Sequence, residues 1–230
     1  MPIAASATPV PASFHMRDAM CAIMEVRKAS VHRYSAWVHI QQPIIALFAK
    51  YPRAGEVNTR LIPALGEEGA AALHRTLVEQ TLATAQASGL PVTVWFAGAM
   101  EEDFAKWLGP IDLRAQKGGG LGERLGRVPA PCILLGADVP DLAPHHLQQA
   151  AAALQDVPVA IGPAEDGGYY ALAMREAMPF LFANMPWGGP DVRAETVRRL
   201  EASAIPYRML DMLADCDRPE DLAKWPDLTP

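Results

Sequence analysis

The apolar run Pro131-Cys132-Ile133-Leu134-Leu135 stops abruptly on Gly136-Ala137-Asp138-Val139-Pro140-Asp141. A run of that length bounded by turn residues reads as a buried strand. Its end sets a carboxylate at the carboxyl edge of a sheet, which in open α/β sheets is where ligands bind. Asp138 is thereby placed to hold a hard cation such as Mg2+ against a phosphate. Such ions take one or two carboxylates and leave the other positions to water and phosphate oxygens.

Further runs of strand length are Pro43–Ala49, Pro91–Ala97, Val157–Gly162, Tyr169–Met174 and Tyr207–Leu210. Between them lie segments of helical character. In Glu67–Ser88, the residues Leu73, Leu77, Val78 and Leu82 recur on one face, Glu67 and Glu68 suit the first turn, and Gly89 with Pro91 ends the helix. Shorter helices are expected over Glu101–Leu108, Glu123–Arg127, Pro144–Leu154 and Asp191–Ala202, and a last one starts near Pro219. Strands alternating with helices imply a mainly parallel sheet covered on both faces.

The 230 residues are enough for one full core, and half of them are hydrophobic. The formal charge of −6 argues against a nucleic-acid binder working through phosphate neutralisation. The apolar runs fall well short of the about 20 residues of a membrane span. Cys21, Cys132 and Cys216 are odd in number and far apart, so neither a zinc site nor a disulfide framework is indicated, and a cytoplasmic location fits best. Residues 1–42 stand apart, with a net charge of +2 against −8 for the rest. They are expected to be an N-terminal extension, disordered in the Ala/Pro/Ser-rich first dozen residues and loosely docked over an amphipathic stretch from Met16 to His39, with residues 43–230 forming a single domain.

No GxxxxGK[ST] loop is present, and Lys117-Gly-Gly-Gly-Leu-Gly122 does not match GxGxxG, so a nucleotide is held in neither of those ways. The absence of GxSxG leaves a serine hydrolase without an anchor. What remains is a basic loop after the first strand, with Lys50, Arg53 and Arg60, where fixed cations suit a pyrophosphate and Gly55 permits close backbone approach. Glu165-Asp166-Gly167-Gly168 is a turn signal on the edge that carries Asp138, so its carboxylates face a sugar hydroxyl, an acceptor or a metal. Asp217 is either a helix N-cap or a second metal ligand, and Asp141 reads as a helix cap. Cys216 reads as filler, because nearby carboxylates raise a thiol pKa.

Six stretches, in order, resemble a bacterial group of GT-A-type transferases known as domain of unknown function 2064. They are FAKYPRAGEVNTRLIPALG (48–66), GGGLGERL (118–125), LLGADVPDL (134–142), GPAEDGGYYAL (162–172), PWGGPDV (186–192) and DCDRPEDL (215–222). The resemblance implies a GT-A-like α/β three-layer sandwich that binds a nucleotide or nucleotide sugar. It also implies a phosphate-cradling loop with Lys50, Arg53, Gly55, Thr59 and Arg60, joined by Gly120 and Gly122. Asp138 would be the metal-binding aspartate and Asp217 a second ligand of Mg2+ or Mn2+. The family pattern has Lys at Asn58, an acidic residue at Gly120 and Ser-Thr at Gly188-Gly189.

The expected function is metal-dependent transfer from a nucleotide-activated sugar to a small acceptor, with Asp138, Glu165 and Asp166 as the catalytic carboxylates. A nucleotidyltransferase that takes an NTP is the alternative within the same fold, and the departures from the family pattern motivate a non-catalytic nucleotide-binding reading. Oligomeric state, a homodimer included, stays open at this level.

Overall fold

The computed structural model describes residues 41–228. The expected extension over residues 1–42 lies outside them except for its last two positions. Among the described residues seven strands form one sheet: β1 Ile44–Lys50, β2 Val92–Ala97, β3 Asp112–Ala115, β4 Cys132–Leu135, β5 Val159–Pro163, β6 Tyr169–Met174 and β7 Tyr207–Met209. Their order is β3-β2-β1-β4-β6-β5-β7. Pairing is parallel throughout except along β6, which runs antiparallel to both β4 and β5.

The chain builds outward from β1 through β2 to β3, then returns to lay β4 on the other side of β1. Strand order therefore reverses at β1 and β4, and a crevice opens at their carboxyl ends. Because β6 is antiparallel, its first residue lies at that same edge, and the turn between β5 and β6 joins the crevice.

Among the described residues five α-helices cover the sheet: α1 Ile62–Ala87, α2 Glu101–Leu108, α3 Leu121–Leu125, α4 Pro144–Asp156 and α5 Val192–Ala202. On one face, Val78, Leu82, Phe104, Leu147 and Leu154 from α1, α2 and α4 pack on Ile45, Leu47, Val94, Ile133 and Leu135. On the other, Leu125, Leu181, Phe182 and Leu200 pack on Ala46, Leu134, Ile161 and Leu172. The alternation of side chains along each strand supplies both layers, and the result is the three-layer sandwich the sequence implies.

Three elements differ from the sequence reading. The helix expected from Glu67 has a preceding turn from Ile62, separated by Gly66 at φ 71° and ψ 171°, a conformation open to glycine alone without strain. Strand β3 had no signal, because Asp-Leu-Arg-Ala is exposed at three of its four positions and offers no apolar alternation. The last segment, Pro219–Lys224, is 3-10 rather than α.

Leu135 is 2 % exposed and packs in the layer under α4. Leu135→Ala is expected to lower unfolding free energy by about 2–5 kcal/mol, measured by urea denaturation.

Candidate functional site at the carboxyl edge

At the end of β1, Lys50 donates from Nζ to the Glu56 carbonyl at 2.8 Å and pairs with the Glu56 carboxylate at 3.7 Å. The loop is thus folded back on its own cation. Arg53 is exposed, with its guanidinium 5.9 Å from the Tyr51 ring centre. Gly55 has φ 78°, and a Cβ there would stand 3.4 Å from the Glu67 carboxyl. Thr59 and Arg60 open a short 3-10 turn over Thr59–Leu61, immediately after Asn58 at φ 44°. Asn is among the few side chains that tolerate this left-handed geometry. Its buried Nδ2 has no hydrogen-bond partner among the described residues.

Arg60 donates to the Asp217 carboxylate. This contact holds the Arg60 guanidinium above its ordinary pKa, chiefly through the hydrogen bond and then through the charge of Asp217. Asp217 itself is brought to the site by its neighbour: the Cys216 backbone N–H donates to the Asp138 carbonyl at 2.7 Å. The cap of the following 3-10 turn is Asp221, whose Oδ2 accepts from the N–H groups of Asp217 and Arg218. The Asp217 side chain thus does not cap this turn and pairs with Arg60 instead. Asp141 is no helix cap either. It accepts from the Trp225 indole N–H at 3.0 Å, and α4 starts after Ala143.

The Asp138 carboxyl is pushed up to about 6. One side of the residue faces solvent, but the surrounding protein withdraws water from the carboxyl, and this is the largest cause. The charges of Asp215, Asp217 and Asp166 add to it, while a hydrogen bond from its own backbone opposes it. Asp215, 8 % exposed, is likewise raised, by burial and then by Asp166. Sequence reading gave Asp215 no role. Its Oδ1 accepts the Asp166 backbone N–H, a contact between distant segments that no local pattern signals.

Asp166 closes its own turn by accepting the Gly168 N–H at 2.7 Å, and Gly167 at φ 92° lies so close to Pro190 that a Cβ would fall 2.0 Å from that carbonyl oxygen. Glu165 pairs with Lys224 at 2.8 Å. The structure thus joins Asp138, Asp166, Asp215, Asp217 and Arg60 in one electrostatic group. Among the described residues no three His, Cys, Asp or Glu side chains form a ready metal cage.

The glycine-rich loop reaches the same edge through Gln116, whose amide donates to the Trp95 carbonyl at 2.7 Å. Gly120 donates its N–H to Glu123 Oε2 at 3.0 Å, and Gly122 lies against the Phe182 carbonyl, where a Cβ would be only 2.5 Å away. The Cys216 thiol is buried and pushed up to about 11, first by burial and then by the acids, in keeping with an inert filler.

A family model described as an uncharacterized protein conserved in bacteria, domain of unknown function 2064, matches residues 80–189. The resemblance read from the six motifs is thereby borne out. A proposed nucleotide-diphospho-sugar transferase from Desulfovibrio desulfuricans G20 is 29% identical, with a TM-score of 0.73 over 81% of this chain and 88% of its own. Two more distant structures share the fold. One is CMP:2-keto-3-deoxy-manno-octonic acid synthetase complexed with CTP, at 17% identity, TM-score 0.50, and 82% and 98% coverage of this chain and its own. The other is 4-diphosphocytidyl-2C-methyl-D-erythritol synthase from Anaerococcus prevotii DSM 20548, at 9% identity, TM-score 0.53, and 80% and 95% coverage. No curated protein matches the chain.

A carboxyl whose folded pKa is raised destabilises the fold in its charged form. This penalty is absent below the unfolded value of 3.8 and complete above about 6. Asp138→Asn removes it. The variant is expected to melt higher than the wild type at pH 7 to 8, with the difference shrinking to nothing as pH falls toward 4, measured by thermal unfolding across that range.

Proposed function

We propose that this protein is a metal-dependent transferase that takes a nucleotide-activated sugar and passes the sugar to a small acceptor. The observation that carries this reading is the meeting of Asp138, Asp217 and Arg60 at the point where strand order reverses. The likeness to the Desulfovibrio protein supports it.

Asp138 and Asp217 fit a hard divalent cation, Mg2+ or Mn2+. They are two carboxylates from segments joined by a backbone hydrogen bond, and their mutual repulsion is relieved by positive charge between them. Such an ion supplies Lewis-acid charge to the diphosphate of the leaving group. The chain's own residues do the rest. Arg60, with the exposed Lys50 and Arg53 of the same loop, offsets the negative charge that grows on the departing nucleoside diphosphate. Asp166 is fixed by its turn and by Asp215, so it orients the acceptor. Asp166 or Glu165 takes the proton of the acceptor hydroxyl as that oxygen bonds to the anomeric carbon and the bond to the diphosphate breaks.

The loop cation Arg60 and the second carboxylate Asp217 neutralise each other, so a cation on Asp217 competes with this pair. Removing one partner frees the other. Arg60→Met is expected to tighten Mn2+ binding in the absence of nucleotide, by up to about fivefold, because an exposed pair is worth about 0.2–1 kcal/mol. The same variant is expected to weaken nucleotide binding. Isothermal titration with Mn2+ alone and then with nucleotide reads both. Equal loss of both in Arg60→Met removes the pairing from the account.

A panel of nucleotide sugars and NTPs, screened by thermal shift with and without Mn2+, tests the main reading. A ligand at a hundredfold excess over its Kd stabilises by about 2.7 kcal/mol. A metal-dependent shift with a nucleotide sugar that disappears in Asp138→Asn is the expected outcome. Pyrophosphate released from an NTP, with no turnover of any nucleotide sugar, selects nucleotidyl transfer instead, for which the exposed cations of the loop are equally suited. Binding without turnover of either class selects a non-catalytic role.

A further inference from the structure

We infer that the cleft between α3 and the loop over residues 179–187 receives the apolar, planar body of the acceptor. This rests on the transfer reading above, to which it adds a substrate class. The cavity measures about 600 Å³, within the about 300–1,000 Å³ of small-molecule sites. Leu121 and Gly122 form one wall, and Phe182, Met185 and Trp187 form the other. The Phe182 and Trp187 rings lie 6.4 Å apart at 22°, close to parallel.

The loop wall is built rather than slack. From α5, the Arg199 guanidinium donates to the carbonyls of Phe180 at 2.9 Å, Leu181 at 3.0 Å and Ala183 at 2.7 Å. Arg199 is itself 13% exposed and paired with Glu195 at 2.6 Å. These carbonyls are therefore satisfied from one direction, and the loop lines the cleft with Trp187 over the nearly buried Phe182 and Met185. The opposite wall is held as firmly, since Gly122 has no room for a side chain against the Phe182 carbonyl.

The charged groups at the cleft, Glu123 and Arg127, are exposed at its rim and also bond to its walls. Glu123 accepts the Gly120 N–H, and Arg127 donates to the carbonyls of Gly118 at 2.7 Å and Gln116 at 3.1 Å. Most of the remaining lining is hydrocarbon, and the hydroxyls of a sugar laid against it would be unpaired, at a cost of about 1–3 kcal/mol each. The cleft offers the half-buried Trp187 ring, backed by the buried Phe182, the exposed Leu121 at its mouth, and the Trp187 indole N–H, which has no hydrogen-bond partner among the described residues. A ring system with one oxygen that accepts from the indole matches this set. The far end of the same loop leads to Pro190, packed on Gly167 beside Asp166, so the cleft adjoins the carboxylate turn.

The test uses 2-naphthol as the probe, titrated calorimetrically into the full chain, its Leu121→Glu variant and its Trp187→Phe variant. Leu121 is 43% exposed, so the glutamate leaves the fold intact, as an unchanged melting temperature would show. Saturable 2-naphthol binding is expected, weakened tenfold or more by Leu121→Glu and about threefold by Trp187→Phe, which keeps the ring but loses the donor. No binding, or binding that Leu121→Glu leaves unchanged, overturns the proposal. The nucleotide screen with Mn2+ on the same samples separates the two readings. A protein that answers to nucleotide and not to 2-naphthol loses the apolar subsite alone. One that binds 2-naphthol in this cleft and no nucleotide keeps the subsite and loses the transfer reading.

Discussion

The hydrogen bond from the Cys216 N–H to the Asp138 carbonyl ties the exit of β4 to a segment from the far end of the chain. The segment before it is threaded along the sheet by further backbone bonds, from Leu210 to Ile161, from Leu213 to Pro163 and from Glu165 to Leu213. Four aspartates are held near one another by these neutral contacts, against their own repulsion. The Asp138 carboxyl is pushed up to about 6, chiefly by burial and in smaller part by that repulsion. A sheet edge of this kind gives up stability at the site and depends on the two apolar layers to hold it, the usual balance between a stable fold and a charged site.

Local chemistry explains how much of this the sequence displays. Strand β4 is legible because Cys132–Leu135 is buried at every position, and β6 was placed with its observed bounds because its apolar run starts at a turn signal. The long helix α1 is legible from the spacing of Leu73, Leu77 and Leu82. Asp138 stands out because a strand end fixes its position, whatever the rest of the chain does. The partners of these groups are a different matter. Asp215 acts on the backbone of Asp166, Asp141 meets the indole of Trp225, and Arg60 meets Asp217 across most of the chain. None of these pairs leaves a periodic trace, since each is set by tertiary packing. The capping role divided the same way. Asp217 and Asp221 are both plausible caps by residue type, and only the geometry assigns the role to Asp221 and leaves Asp217 to Arg60.

The reversed strand β6 has a second effect on the site. It brings a tight turn, rather than a long crossover, to the carboxyl edge, so Asp166 is placed by a few backbone bonds and by the close packing of Gly167 on Pro190. Each wall of the edge thus rests on a different kind of support. The basic loop is folded on its own Glu56, the acidic turn is buttressed by Asp215 and Pro190, and the 179–187 loop is laced to α5 by Arg199.

Among the described residues strand β3 borders the sheet and pairs with β2 alone, and it is only four residues long. Its exposed Asp112 and Arg114 lie 3.7 Å apart, and Asp112 also accepts the Thr93 hydroxyl at 2.7 Å. A free strand border is a template on which another chain can add itself, and short length and charge are the means by which proteins prevent this. The weak signal that hid β3 in the sequence is therefore the same property that discourages the sheet from growing through a neighbouring molecule.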